Sequence, residues 1–249
     1  QLRDVPAQVS GVRREGLTVA VEAARDHMRR AIGKKVTDTE LLATMRNAYE
    51  AGWKTVKLYF MVGFPGETES DIDAIADLSA QISRLRREVS GNAALVNVTI
   101  SWLVPKPHTP FAWLGQRDKS YFERAERLIL DEKRKLRAKF LNFKFHDIGQ
   151  SVLESAIGRG DRRLCDVIEF AWRSGAKFDL WNECFDYTLW QKAFEKFAMA
   201  IEDVARRQFG PDEILPWEHL GGPNKKYLLT CLDKAMKECE KCKTAGEKV

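Results

Sequence analysis

The chain has 249 residues, 44% of them hydrophobic, and carries 41 Lys and Arg against 36 Asp and Glu, a formal charge of +5. That is enough apolar material for a core in one large or two small domains, and so small a positive excess does not by itself indicate nucleic acid. No apolar run approaches the roughly 20 residues that cross a bilayer, "QLRDVPAQVSGVRREG" lacks a signal-peptide core, and five cysteines without framework spacing fit a reduced, cytoplasmic compartment.

In chain order, "GLTVAVEAA" (Gly16 to Ala24) is a β-branched run read as a strand ending on Glu22, and "RDHMRRAIG" as a short helix closed by Gly33. "TDTELLATMRNAYEAGW" opens on the capping box Thr37-x-x-Glu40 and sets Leu41, Leu42, Met45, Ala48 and Tyr49 at helical spacing. "KTVKLYFMVG" is a strand, the turn at Gly63, Pro65 and Gly66 follows, and Thr68 with Asp71 restarts the chain as a second amphipathic helix. "ALVNVTISWLVPKPHTPF" is a third strand, cut by Pro105, Pro107 and Pro110. Strands and helices alternating across short turns predict parallel pairing.

From Ser120 the pattern becomes helical. "SYFERAERLILDEKRKLRAKF" is a long charged helix with the box Ser120-x-x-Glu123, "LNFKFHD" alternates like a strand, and the pieces beyond Gln150 are helices. The division predicted is an α/β part, 1–118, and a mostly helical extension, 119–249. Three parallel strands cannot close a barrel, so the α/β part is expected to complete a sheet whose earlier strands lie outside this chain.

Several residue patterns carry possible chemistry. Glu22 at a strand end, followed by two alanines, reads either as a binder of a hydroxyl or ammonium group or as a cap and ion-pair partner of Arg25, Arg29 or Arg30. "VGFPGET" lacks the Gly-Lys-Ser/Thr ending of a phosphate loop; it is either a plain turn or a place where Val62, Gly63, Phe64 and Pro65 lie against a flat ring. His108 sits in the proline-bounded "PKPHTPF", either as a metal ligand or general base or as a hydrogen-bonded loop histidine, the second being the more common. His146 with Asp147, and His219 beside Trp217, read as structural pairs.

Cys231, Cys239 and Cys242 form C-x7-C-x2-C with no fourth ligand nearby, a weak metal candidate. Cys165 and Cys184 read as core residues. Basic runs including Arg134, Lys135 and Arg137 alternate with acids, as on a solvated face; the alternative is a docking module for RNA or a partner protein.

Together "VEAARDHMRRAIGKKVTDTELLATMRNAYEAGW", "VKLYFMVGFPGETESDI" and "VPKPHTPFAW" resemble the later strands and helices of the radical S-adenosylmethionine (SAM) superfamily. With "GRGDRRLCDVIEFAW", "FDLWNECFD" and "LPWEHL", the chain resembles the branch that has an N-terminal cobalamin-binding-like domain and a Trp-x-His tail. The resemblance implies a partial (β/α)6 TIM-like barrel followed by the helical extension. It implies S-adenosylmethionine and a [4Fe-4S] cluster as cofactors of the full-length protein, leaves the use of cobalamin open, and implies the rest of the same protein as a partner. It places Glu22 at the ribose or methionine part of the nucleoside, Arg29 or Arg30 at the methionine carboxylate, Val62, Gly63, Phe64 and Pro65 against adenine, and His108 on the substrate side. The family's CxxxCxxC loop is absent, so the resemblance implies a C-terminal piece of an enzyme, inactive alone.

Overall fold

The computed structural model describes residues 16–246, with side chains through Glu240. Strands β1 (Leu17–Glu22), β2 (Thr55–Val62), β3 (Leu95–Trp102) and β4 (Leu141–Phe145) form a parallel sheet in the order β1-β2-β3-β4. Sequence neighbours are spatial neighbours because each crossover is a helix lying on the sheet. The α/β architecture with parallel strands is the one the sequence predicts, a partial TIM-like barrel followed by helices.

The two-residue period explains the burial. On β2 and β3, Val56, Leu58, Phe60, Val62, Val96, Val98, Ile100 and Trp102 are all buried, while Lys57 and Tyr59 alternate onto an exposed face. Each large side chain so removed from water contributes about 1.5–3 kcal/mol.

After α1 (Asp26–Ala31), α2 (Asp38–Glu50) begins at the capping box as read: Thr37 Oγ1 accepts the Glu40 N–H at 3.2 Å, and the Glu40 carboxylate accepts the Thr37 N–H at 3.0 Å. Its Leu41, Met45 and Tyr49 are buried, and the Tyr49 hydroxyl donates to Ile82 O of α3 (Glu69–Ser90) at 3.0 Å. At the start of α3 the Asp71 carboxylate accepts both the N–H and the hydroxyl of Thr68, at 2.9 and 2.7 Å. This return bond accounts for the acidic residues behind Thr68.

The charged segment after residue 118 holds more than a solvated helix. In α4 (Lys119–Lys135), Phe122, Ala125 and Ile129 form a fully buried stripe at i, i+3 and i+7, and the helix leads from β3 into β4. β4 pairs in parallel with β3, Val96 opposite Leu141 and Ile100 opposite Phe145, so "LNFKF" is a fourth strand of the same sheet. The helix is capped two residues earlier than the Ser120 box suggests: Asp118 accepts the Tyr121 N–H at 2.8 Å and the Ser120 hydroxyl at 2.7 Å.

By contacts the described residues form two compact units, one of residues 16–101, 123–145 and 235–246 and one of 102–122 and 146–234. In the second, α5 (Ile148–Arg159), α6 (Leu164–Arg173), α7 (Tyr187–Lys196) and α8 (Ile201–Arg206) close around Val152, Val167, Trp190, Phe194 and Ile201. A separate cluster joins Trp113, on the 3-10 turn Pro110–Trp113, to Phe209, Leu215, Trp217 and Leu228. Arg159 is buried beside it, donating to Ala205 O at 2.6 Å and Arg207 O at 2.7 Å, and burial holds its pKa down to about 10. The last helix is α9 (Lys225–Gly246).

Candidate functional site

At the carboxyl end of β1 the ladder breaks register between Ala20 and Glu22, and Glu22 pairs with Phe60. Glu22 itself has φ +70°, in the left-handed region that a side chain rarely adopts. A bulge of this kind re-aims a side chain. The carboxylate stands at the rim, 3.5 Å from Lys34 Nζ, and Lys34 also donates to Ala20 O. Lys34, just past the helix-closing Gly33, is a rim residue that the sequence reading did not single out.

On β2 the same rim is formed by the turn that follows Val62. Gly63 takes φ +113°, and its N–H donates to a Glu67 carboxylate oxygen at 2.7 Å. Val62 and Phe64 are buried at 0% and 1% exposure, so they hold the turn down into the core, and Pro65 is half-buried above them. Parallel pairing therefore brings Glu22 and the Gly63–Pro65 turn to one edge of one sheet.

The two arginines of α1 separate sharply. Arg29 is completely buried, and all five of its guanidinium N–H groups have acceptors: Val36 O at 2.7 Å, Ala23 O and Ala24 O at 2.9 Å, and the Asp26 and Asp38 carboxylates. It ties the exit of β1 to the start of α2 and has no donor left for a ligand carboxylate, which corrects the reading of Arg29 as a binding residue. Arg30 is half-exposed, with Nε 3.6 Å from Glu238 Oε1 of α9. Beside that pair, Cys239 is buried and lies against Gly66; a Cβ on Gly66 would sit 2.7 Å from Cys239 Cβ. Nothing local in the sequence signals this contact across about 170 positions.

No three His, Cys, Asp or Glu side chains converge on a possible metal site among the described residues. Cys231 is half-buried and Cys239 buried, while the side chain of Cys242 falls outside the described residues. Cys165 and Cys184 are exposed rather than core: Cys165 lies on the outward side of α6, and Cys184 in the stretch 181–184, all of whose residues are exposed. In α4 Arg134 pairs with Asp131, and Lys135 with Glu132 at 2.7 Å, so these cations are matched locally. His108 belongs to the second compact unit, with φ +59°. His146 is exposed, and its carbonyl accepts the Trp102 indole N–H at 2.8 Å.

Glu22, with its left-handed backbone, and the glycine turn thus stand at the carboxyl ends of adjacent parallel strands, the edge of a sheet at which α/β folds place their ligands. Residues 10–79, which contain the described part of this rim, match the family model of the Radical SAM superfamily. The chain is also similar to the uncharacterized protein MJ0966 of Methanocaldococcus jannaschii, 28% identical over 160 residues that cover 62% of this chain and 32% of that protein. It thus spans about a third of that relative's length. No solved structure matches. No helix among the described residues is long and apolar enough to cross a membrane.

Proposed function

We propose that this chain supplies the nucleoside-binding rim of a radical SAM enzyme that reductively cleaves S-adenosylmethionine, and that it belongs to the branch with an N-terminal cobalamin-binding-like domain. The observation that carries the reading is Glu22, held at φ +70° beside the Gly63 turn, inside the segment that matches the superfamily. The branch rests on "GRGDRRLCDVIEFAW" and "LPWEHL".

The residues present fit the nucleoside and do not fit the cluster. The three-cysteine loop is absent from the 249 residues, and the described cysteines do not converge. Its ligands would come from the remainder of a longer protein, which also suits a sheet whose Lys57 and Tyr59 face is exposed.

In this reading the Glu22 carboxylate accepts hydrogen bonds from ribose hydroxyls or the methionine ammonium, and its strained backbone fixes the aim in advance. Lys34 offsets the carboxylate charge from one side. The Gly63–Pro65 turn is anchored by buried Val62 and Phe64 and offers main chain to the adenine edge. Arg30 is the cation available for the methionine carboxylate, and Glu238 occupies it in this structure.

The test is made on the full-length protein with its cluster reconstituted. Anaerobic reduction in the presence of S-adenosylmethionine should release 5'-deoxyadenosine, and Glu22→Ala should weaken S-adenosylhomocysteine binding about tenfold, roughly 1.4 kcal/mol. Absence of 5'-deoxyadenosine with an intact cluster overturns the reading; unchanged affinity in Glu22→Ala removes that residue from the site.

A further inference from the structure

The second compact unit carries a run of large apolar side chains that face water. Leu180 is 95% exposed, Phe178 69%, Trp172 66%, Trp181 62% and Ile168 40%. Ile168 and Trp172 lie one turn apart on the outward side of α6. Past the helix the Ala176 N–H returns to Ala171 O at 3.0 Å, which folds the chain back beside the helix end, and the Trp181 N–H donates to Phe178 O at 2.9 Å. Trp172, Phe178, Leu180 and Trp181 thus sit on two consecutive turns at one end of α6. The second turn is fastened to the rest of the unit. The Gln150 amide of α5 donates to Asp179 O at 3.0 Å, and the Trp190 indole N–H of α7 donates to the Asp179 carboxylate at 3.3 Å. The apolar side chains are therefore held out in place by a turn whose polar groups point inward.

Apolar patches beyond a few hundred Å² mark contact surfaces, and Trp and Phe are enriched at the centres of such contacts. An aromatic side chain buries about 150–250 Å², so at these exposures the strip offers on the order of 700 Å², close to the roughly 800 Å² per partner of a stable interface. The charges beside it decide what covers it. Asp179, Glu183 and Asp186 outnumber Lys177, and Arg173 is tied to Glu169 at 2.6 Å, so the phosphates of nucleic acid or of an anionic lipid surface are disfavoured. Lys177 and Glu183 stand just before and just after the exposed turn, both exposed, and neither is in an ion pair with a described residue. A surface with an apolar centre and one unmatched charge of each sign at its edges is complementary to itself. A two-fold axis through the turn sets Lys177 of each copy against Glu183 of the other.

We infer that this strip is the contact surface of a symmetric dimer, in which a second copy of the chain covers Trp172, Phe178, Leu180 and Trp181 with its own. The inference concerns this unit by itself and does not rest on the radical SAM reading.

The experiment is sedimentation velocity on the chain. It should run as a monomer at about 1 µM, where the strip lies open, and as a dimer at about 200 µM. Leu180→Asp, at a site almost fully in water, should stay monomeric at the higher concentration with its near-UV circular dichroism unchanged, whereas Ile214→Asp, 83% exposed outside the strip, should dimerise like the native chain. Lys177→Glu and Glu183→Lys should each weaken the dimer about tenfold when run alone. An equimolar mixture of the two should recover the native affinity, because each variant then offers the other the opposite charge. A native chain still monomeric at about 200 µM overturns the inference. So does a dimer that Leu180→Asp leaves intact or that Ile214→Asp abolishes, and so does a mixture that associates no more tightly than its components.

Discussion

Glu22 stands opposite Phe60 in the β1–β2 ladder, after a register break that leaves Glu22 at φ +70° at the sheet rim. For an L residue this conformation costs about 1–2 kcal/mol, against the 0.5–1 kcal/mol that glycine loses through its freer unfolded chain. Glu22→Gly should therefore be more stable than Glu22→Ala by about 1 kcal/mol in urea unfolding. A Glu22→Gly variant less stable than Glu22→Ala, by the roughly 0.5–1 kcal/mol that glycine's chain freedom costs, would mean that the backbone there carries no strain, and the argument for a pre-aimed carboxylate would lose its footing.

Arg29 gives the opposite kind of prediction. Its five donors satisfy three carbonyls and two carboxylates from inside the fold. Arg29→Met keeps the apolar stem and takes the guanidinium away from all five acceptors, of which Asp26 keeps the Asp38 N–H at 2.9 Å and both carboxylates remain partly in water. The loss should be about 3 kcal/mol by denaturant midpoint, carried mainly by the buried carbonyls. Arg30→Met removes a half-exposed pair and should cost under about 1 kcal/mol. Similar losses for the two would contradict the separation of roles.

How far the sequence reveals this arrangement depends on the range of each interaction. The capping boxes at Thr37 and Thr68 were readable because both partners lie within one turn. The strand ending on Glu22 and the glycine turn after Val62 followed from runs of apolar residues bounded by Gly and Pro. "LNFKF" was recognisable as a strand, but alternation does not name a partner, and the charged surface of α4 hid the buried Phe122, Ala125 and Ile129 stripe that makes it a crossover. The pairing of Cys239 with Gly66, and of His108 with Gly222, joins residues more than a hundred positions apart and has no local pattern at all. Arg29 and Arg30 looked equivalent in sequence; only the 100° step around a short helix separates the buried one from the exposed one.

Cys239 supplies a chemical probe of the contact over the rim. A methyl group on Gly66 would fall 2.7 Å from Cys239 Cβ, and Gly66 has φ +76°, so Gly66→Ala must displace the helix there. In the native chain Cys165 and Cys184 should react first with iodoacetamide and Cys239 last, following exposure. Gly66→Ala should bring Cys239 close to the rate of Cys231, as read by peptide mass spectrometry. If Cys239 stays protected in the variant, the helix does not rest on that turn.

Tyr49 makes a test at alkaline pH. Burial raises its pKa well above the ordinary 10, with Arg86 a smaller opposing influence, and its hydroxyl donates to Ile82 O. An acid whose folded pKa is raised stabilises the fold fully below its unfolded pKa and loses that contribution as pH climbs toward the folded value. Tyr187, also raised, first by burial and then by its bond to Glu202, acts with the same sign, whereas Arg159, held down to about 10, acts with the opposite one. Both are common to the native chain and Tyr49→Phe, so the difference between the two isolates Tyr49. At neutral pH the variant should be less stable by about 1 kcal/mol for the lost hydrogen bond. Above about pH 10 the gap should close and then reverse, by up to roughly 1.4 kcal/mol per pH unit. Urea unfolding from about pH 8 to about pH 11 reads this directly, and a gap that stays constant over that span would show that Tyr49 ionises as easily folded as unfolded.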